Sequence, residues 1–384
     1  MTDEPTPDKP PRDLEIRRIT EGELPLVEQF VNECYGAGAP FKQRARLQWQ
    51  FVDTPYRRVG APPTIFAALS RGRVVGTIGV QDGRALVHGT PAAMGWVVDV
   101  MIHPEFRGRG IGHMIHDRAL ADRSTLITLT MAEATRRIAM KAGAITLGPT
   151  REFIRPIRVS ATTVKSFLSG KADNAPGRHR LISAFNATRV GPILLAGVVR
   201  VIGAIRKPRR SPVTDLRVEE VEEFPVDVDA LWEGVAEHHP TMFERSARFL
   251  NWRFVEAPEL NYRLFLLWEG DSLRGYLVTR DPNAVELPVG TVVDFLAAPG
   301  DSDALDALLT HAHTELASRC EYLEAAASSV EYRSALKRAG FVATRTMRPT
   351  IVCTDSDLRA GLWDTVDRWH FTKADHDWDQ VHPA

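Results

Sequence analysis

Val97-Val98-Asp99-Val100-Met101-Ile102-His103-Pro104-Glu105-Phe106-Arg107-Gly108-Arg109-Gly110-Ile111-Gly112 runs from an apolar stretch, begun at Met94, into a glycine-rich turn. Beyond the turn, Ile111, Met114, Ile115 and Ala119 fall on one helical face of Gly110 to Arg123. The pattern predicts a strand over 94–102 and a helix over 110–123. Glycine inside a helix costs ~1 kcal/mol against alanine, so helix stability does not explain three glycines at alternate positions. They let backbone N–H groups approach a ligand with no Cβ in the way. At a helix start those amides lie at the positive end of the dipole. That makes an anion site suited to a phosphate or pyrophosphate, and Arg107 and Arg109 add charge beside it. Without a ligand, the same stretch reads as a tight turn with solvated arginines. Its spacing is not the G-x-G-x-x-G of dinucleotide-binding loops.

The elements on either side follow from patterning. Leu24 to Tyr35 can form a helix. Thr64–Leu69, Val74–Val80 and Ala85–Val87 read as short antiparallel strands with glycine-containing turns. Thr125 to Met131 reads as a strand, and Ala134 to Ala142 as a helix stopped by Gly143 at C′. A meander followed by strand–helix–strand–helix is a mixed α/β (α+β) layout.

The chain is also written twice. Leu47-Gln48-Trp49-Gln50-Phe51-Val52-Asp53-Thr54-Pro55 matches Leu250-Asn251-Trp252-Arg253-Phe254-Val255-Glu256-Ala257-Pro258. Val97-Val98-Asp99-Val100 matches Val292-Val293-Asp294-Phe295, Lys141-Ala142-Gly143 matches Arg338-Ala339-Gly340, and Arg155-Pro156 matches Arg348-Pro349. The offsets are 203, 195, 197 and 193 residues, in constant order. This predicts a tandem duplication of a globular domain, the period being too long for a solenoid. The bounds read as a polar, proline-rich tail over 1–13, a first domain over 14–158, a linker over 159–213, a second domain over 214–353 and an extension over 354–384. Trp49 and Trp252, at equivalent places, read as packing residues.

These motifs resemble the GNAT superfamily of acyl-CoA-dependent N-acetyltransferases. Arg107-Gly108-Arg109-Gly110-Ile111-Gly112 fits that family's pyrophosphate loop, and Ile102-His103-Pro104-Glu105-Phe106 fits its lead-in. Lys337-Arg338-Ala339-Gly340-Phe341 fits a downstream Lys-x-Gly-Phe element, which Lys141-Ala142-Gly143-Ala144 meets in part. The resemblance covers 14–157 clearly and 214–352 faintly. It implies two tandem GNAT-like domains, each a mostly antiparallel mixed sheet flanked by helices. It also implies that Arg107, Gly108, Arg109, Gly110, Ile111 and Gly112 hold the pyrophosphate of acetyl-CoA. The backbone of Val100, Met101 and Ile102 would bind the pantetheine arm and polarise the thioester carbonyl, an oxyanion-type contact. An amine of a small molecule, sugar or peptide would then attack directly.

Two departures stand out. Where many members carry a tyrosine as thiolate acid, this chain has Ala139 and Leu336. Where the second half should carry a pyrophosphate loop, it has Leu296-Ala297-Ala298-Pro299-Gly300-Asp301-Ser302-Asp303, whose aspartates repel phosphate. The second half therefore reads as a domain without CoA binding. Candidate bases are Asp99, an acid in an apolar strand, and Glu133, at the end of the neighbouring strand. Asp294, the repeat partner of Asp99, suggests a structural carboxylate instead. His103 reads as an exposed turn residue, and Trp369 to Asp379 as a docked terminal segment with a W-x-F-T-x-x-D-x-D pattern.

Composition bounds the alternatives. With 48 Lys+Arg against 49 Asp+Glu in 384 residues, the net charge is -1. That excludes a globally basic nucleic-acid binder, and weighs against an aminoacyl-tRNA-dependent ligase of the two-domain kind. A non-catalytic acyl-CoA sensor and a transferase of longer acyl groups stay open. Three scattered cysteines argue against a disulfide framework or a zinc site, so no metal is expected and a reducing cytoplasm fits. The most apolar run, 190–205, is followed by basic residues to 210. It is too short to span a bilayer. It reads as a packed helix, or as one resting on an anionic membrane surface. The acceptor and the oligomeric state are not written in the sequence.

Overall fold

A computed structural model describes residues 9–35, 43–165, 168, 188, 192–194, 196–197, 215–282, 288–362 and 368–380. In chain order the first elements are β1 (Glu15–Arg18), α1 (Leu24–Tyr35), α2 (Arg44–Phe51), β2 (Ile65–Ser70), β3 (Arg73–Val87), β4 (Thr90–Ile102), α3 (Ile111–Asp122), β5 (Thr125–Thr128), α4 (Glu133–Lys141), β6 (Ile145–Thr146) and β7 (Thr150–Pro156). Next come β8 (Leu216–Val221), α5 (Asp227–Ala236), β9 (Thr241–Phe243), α6 (Ala247–Phe254), β10 (Tyr262–Glu269), β11 (Ser272–Arg280) and β12 (Val289–Ala297). The last are α7 (Ser302–Leu316), β13 (Tyr322–Ala327), α8 (Val330–Arg338), β14 (Val342–Met347), β15 (Thr350–Cys353), α9 (Ser356–Leu362) and β16 (Trp369–His370). The apolar 190–205 run lies outside the described residues, apart from the helical 192–194 and 196–197. No described helix is long and apolar enough to cross a membrane.

Two compact units result. They do not follow the contiguous bounds 14–158 and 214–353 that the repeat predicts. Unit 1 takes 1–150, 236–260 and 347–384; unit 2 takes 151–235 and 261–346. The cause is visible in the strand order.

The sheet of unit 1 runs β1-β2-β3-β4-β5-β15-β6, with β9 on β3 and β16 on β9. It is mixed: β4 and β5 run parallel, while β1 to β4 form an antiparallel meander. Alternation along β2 puts Ile65, Ala67 and Leu69 with Leu24, Val27, Phe30 and Phe51 on one face, and Phe66 and Ala68 with Ile111, Ile115 and Ala119 on the other. Helices therefore cover both faces. The predicted strands 74–80 and 85–87 are one 15-residue strand, β3, with no turn at Gly83. Gly83 pairs with Met94, and a Cβ there would come within 3.2 Å of the Phe243 ring. The glycine serves a close approach, a use that the letter alone does not separate from a turn. Trp49 and Trp252 are buried and stacked at 4.8 Å. Each indole N–H donates to the other's carbonyl, at 2.8 and 3.2 Å.

The sheet of unit 2 runs β14-β7-β13-β12-β11-β10-β8, with β12 and β13 parallel. Leu305, Leu308, Leu309, Ala312 and Leu316 of α7 are fully buried. Each sheet thus holds strands from the other half of the sequence: β9, β15 and β16 join the sheet of unit 1, β15 lying between β5 and β6, and β7 pairs with β13 in unit 2.

Candidate functional site

The site is built around the end of β4. Its pairing with β5 stops at Trp96↔Ile127, so residues 97–102 have no strand partner on that edge. On the other edge the ladder with β3 slips: Val98 pairs with Gly79, and Met101 with Thr77. Two residues, Asp99 and Val100, stand against one, which is a β-bulge. Asp99 takes φ +55, a left-handed conformation that aspartate tolerates better than most residues. The bulge therefore falls on the stretch of β4 that is not paired with β5.

The glycine-rich turn follows. His103 caps a short 3₁₀ turn, Pro104–Phe106, its Nδ1 accepting from the Glu105 N–H at 3.3 Å. It is a capping residue, largely covered rather than exposed. Arg107 Nε donates to the Ile102 carbonyl at 3.2 Å, and the Arg109 guanidinium lies over the Phe106 ring. Gly108 and Gly110 take φ +79 and +78, and a Cβ at either would meet nothing within 4 Å. The glycines are required by the backbone, and the space in front of them is open. Gly110 is the N-cap of α3. His113 N–H donates to its carbonyl, so the amides of Ile111 and Gly112 precede the helix's own hydrogen bonds. Gly112 packs against Ile138 of α4. The arrangement leaves backbone amides without helical partners at a helix start, beside the unpaired end of β4.

Residues 15–133 match a family model described as an acetyltransferase (GNAT) domain. This stretch is a GNAT acetyltransferase domain. Solved structures agree on the fold. A GCN5-related N-acetyltransferase from Anabaena variabilis superposes with a TM-score of 0.58 at 11% identity, over 88% of this chain and 72% of that one. One from Kribbella flavida gives 0.54 at 16% identity, over 90% and 72%. Saccharomyces cerevisiae N-myristoyltransferase with bound myristoyl-CoA gives 0.55 at 10% identity, over 91% and 80%. No curated protein matches by sequence. With two mixed sheets flanked by helices, the architecture is that of tandem GNAT-like units.

Unit 2 treats the equivalent places differently. Its helix α7 is capped by Asp301, whose carboxylate accepts from Ala304 N–H at 3.0 Å and pairs with Arg274. Glu331 accepts from Gly300 N–H at 3.0 Å. The chain's own carboxylates thus take the amides of the turn before α7. The parallel pairing of β12 with β13 stops at Thr291↔Glu324. Beyond it, the buried Tyr332 hydroxyl lies 3.3 Å from both the N–H and the carbonyl oxygen of Ala297, accepting from the first and donating to the second. Asp294 pairs opposite Val278 beside a register slip that leaves Val293 extra, and it is fully buried, with the Tyr276 hydroxyl donating to it at 2.8 Å.

In the GNAT domain, Asp99 is half-exposed at the bulge, so it does not share the setting of Asp294. Val100 shares that bulge, while Met101 and Ile102 rejoin the ladder with β3. Glu133 does not lie on the strand β5, which ends at Thr128; it opens α4, exposed and paired with Arg136 at 2.8 Å. That hydrogen bond holds its carboxyl below the usual range. Ala139 and Leu336 are buried. Among the described residues no cluster of three or more His, Cys, Asp or Glu is placed to hold a metal.

The 369–380 segment is packed into unit 1, and its ligation was not legible beyond its motif. β16 pairs with β9. Arg245 holds Asp375 at 2.8 Å, Arg253 holds Asp379, and Arg46 donates to Gln380, all buried. Between the two aspartates, His376 Nε2 lies 2.7 Å from the Val97 carbonyl oxygen. Its ring meets Trp96 edge-on at 5.7 Å. A small cavity of about 10 Å³ is lined by Tyr56, Asp82, Arg84, Trp96, Glu244 and His376, among others. Burial, reinforced by the charge of Glu244, pushes the Tyr56 phenol well above its usual range, so it stays protonated.

Proposed function

We propose that unit 1 is an acyl-CoA-dependent N-acyltransferase that uses acetyl-CoA and an amine acceptor. The observation that carries this reading is the turn Arg107–Gly112. Two left-handed glycines with open space before them and amides ahead of the first helical bond suit a pyrophosphate. The thioester arm would lie in the gap past Trp96, where the backbone of Val100 to Ile102 offers the carbonyl a donor. Such a donor is worth about 3 kcal/mol to an oxyanion. The protein's further contribution is orientation of the amine. Unit 2, with Asp301, Glu331 and Tyr332 in the corresponding places, holds no acyl-CoA in this reading.

Calorimetric titration with acetyl-CoA and CoA, and with myristoyl-CoA as a long-chain arm, tests it. The expected result is saturable binding at a stoichiometry of one. Gly110→Asp keeps a residue that tolerates left-handed backbone but puts a carboxylate into the cradle. Binding should fall by at least 100-fold while the melting temperature stays within a few degrees. Binding that survives Gly110→Asp would refute the loop assignment. Failure of the parent chain to bind any of the three would refute the transferase reading.

A further inference from the structure

We propose that His376 is a positioning residue: from the docked 369–380 segment it takes over from β5 as hydrogen-bond partner of β4, and so fixes where an acyl-CoA arm can meet that strand. The inference rests on reading unit 1 as an acyl-CoA transferase.

Strand geometry shows which way the Val97 carbonyl points. Opposed residues of an antiparallel pair either bond each other or both face away. Val80 stands opposite Val97, and its N–H donates instead to the Thr64 carbonyl at 2.8 Å, on the β2 side. Val97 therefore turns its N–H and C=O away from β3, toward β5. The ladder with β5 ends one residue earlier, at Trp96↔Ile127. The Val97 carbonyl is thus the first to point at that edge beyond the last pair, and His376 Nε2 lies 2.7 Å from it. Past the bulge the same edge recurs. His103 N–H donates to the Val75 carbonyl at 2.9 Å, so Ile102, paired with Gly76, faces away from β3 as Val97 does. The Val97 carbonyl and the Ile102 N–H share one edge of the strand. The first is bonded by His376, and the second is a donor for the proposed thioester arm.

His376 is built as a fixed donor rather than as a base. A carbonyl oxygen only accepts, so Nε2 carries a hydrogen. Nδ1 is paired with the Asp377 carboxylate, which sets the ring's orientation from its far side. The ring meets Trp96, the residue of the last pair, edge-on at 5.7 Å, and Phe371 packs on the same indole at 6.1 Å. His376 takes φ +64, which persists in a non-glycine residue only where surrounding structure over-determines it. That structure is the Arg245–Asp375 and Arg253–Asp379 pairs on either side, with Asp375 also accepting from Thr372 N–H at 2.8 Å. Val97 is buried, and a buried carbonyl needs a donor. Without His376 its choices are water or one more step of pairing with β5, and either changes the point at which β4 is released. Docking of the segment and binding of the arm are therefore linked, and each strengthens the other.

Titration calorimetry of the full chain compares acetyl-CoA with adenosine 3′,5′-bisphosphate, which lacks the thioester arm. His376→Leu removes the donor, and His376→Gln keeps an N–H for the carbonyl. The two replacements are alike in size and neither is branched at Cβ, so they load the left-handed backbone equally. His376→Leu should weaken acetyl-CoA binding by about tenfold, the worth of one hydrogen bond, and leave the bisphosphate within twofold. His376→Gln should return acetyl-CoA to within threefold of the parent. In the parent, saturating acetyl-CoA should slow amide exchange across 371–380 by about tenfold, and saturating bisphosphate should leave it within twofold; this measurement decides where the variants do not fold. Three results would overturn the proposal and leave the transferase reading intact: a folded His376→Leu that binds acetyl-CoA like the parent or loses both ligands equally, a folded His376→Gln as weak as His376→Leu, or acetyl-CoA binding that adds no protection to 371–380. A parent chain that binds no acetyl-CoA would instead defeat the transferase reading, and this assignment with it.

Discussion

Asp99 shows how far single letters reach. An acid inside an apolar strand is legible as a special position, and Asp99 does occupy one. The nature of the position is not legible. Asp294 repeats the letters and flanks a register slip too, but there Val293 is the extra residue and Asp294 pairs opposite Val278, whereas Asp99 is itself inside the two-against-one bulge, at φ +55. Bulge placement is set by the register of the partner strand, which the neighbouring letters do not encode. Asn adopts left-handed backbone about as well as Asp, so Asp99→Asn separates charge from geometry. If the carboxylate assists the amine, kcat for thiol release should fall 10- to 100-fold with the acetyl-CoA affinity unchanged. A variant that loses its cooperative melt would mark Asp99 as structural. Glu133→Gln, by contrast, should change little, because Glu133 is solvated and engaged with Arg136.

Among elements, the most legible is the turn before α3, because positive φ at Gly108 and Gly110 leaves glycine in the sequence. The least legible is the 369–380 segment. Its motif reads as a docked segment but names no partners, and only the fold brings Arg245 and Arg253 to Asp375 and Asp379. Docking also buries His370 of β16 against His239, ring centroids 5.1 Å apart. Desolvation lowers both: His239 to about 4, and His370 well below its usual value. The unfolded segment binds protons that the docked one refuses, so docking strengthens as pH rises. The contribution of His370 is complete above about 6.5 and is lost progressively as the pH falls below that value. Amide exchange across 369–380 should therefore accelerate between pH 7 and 4.5 while β2 and β3 stay protected. Replacing both histidines with Phe should flatten that dependence; an unchanged profile would assign it to other groups.

At the scale of the whole chain, the duplication was fully legible and its consequence was not. Element order identifies β7 and β15 as equivalent strands, each the second strand after a helix, α4 in one half and α8 in the other. Repetition states which strands correspond, but either sheet offers the same parallel-edge environment to either strand. Pairing is decided by geometry that the repeat leaves symmetric, and the strands are exchanged: β15 bonds β5 and β6, and β7 bonds β13. The exchange makes each half incomplete. A fragment of residues 1–158 lacks β15, whose Ile351 and Val352 are buried beside β5. It also loses Trp252 from the Trp49 stack and Phe243 from the Trp96 contact, and it exposes Phe153 of β7. Truncating one buried aromatic or aliphatic group costs about 2–5 kcal/mol, and several at once exceed the 5–15 kcal/mol that a domain has. The 1–158 fragment should therefore show no cooperative thermal transition and should aggregate, although it contains every residue of the glycine-rich turn. Co-expression with 214–384 should restore a soluble complex that melts cooperatively and binds acetyl-CoA. A monomeric, cooperatively melting 1–158 fragment would show that the exchanged strand is dispensable and that the acyl-CoA site can be assembled from one repeat alone.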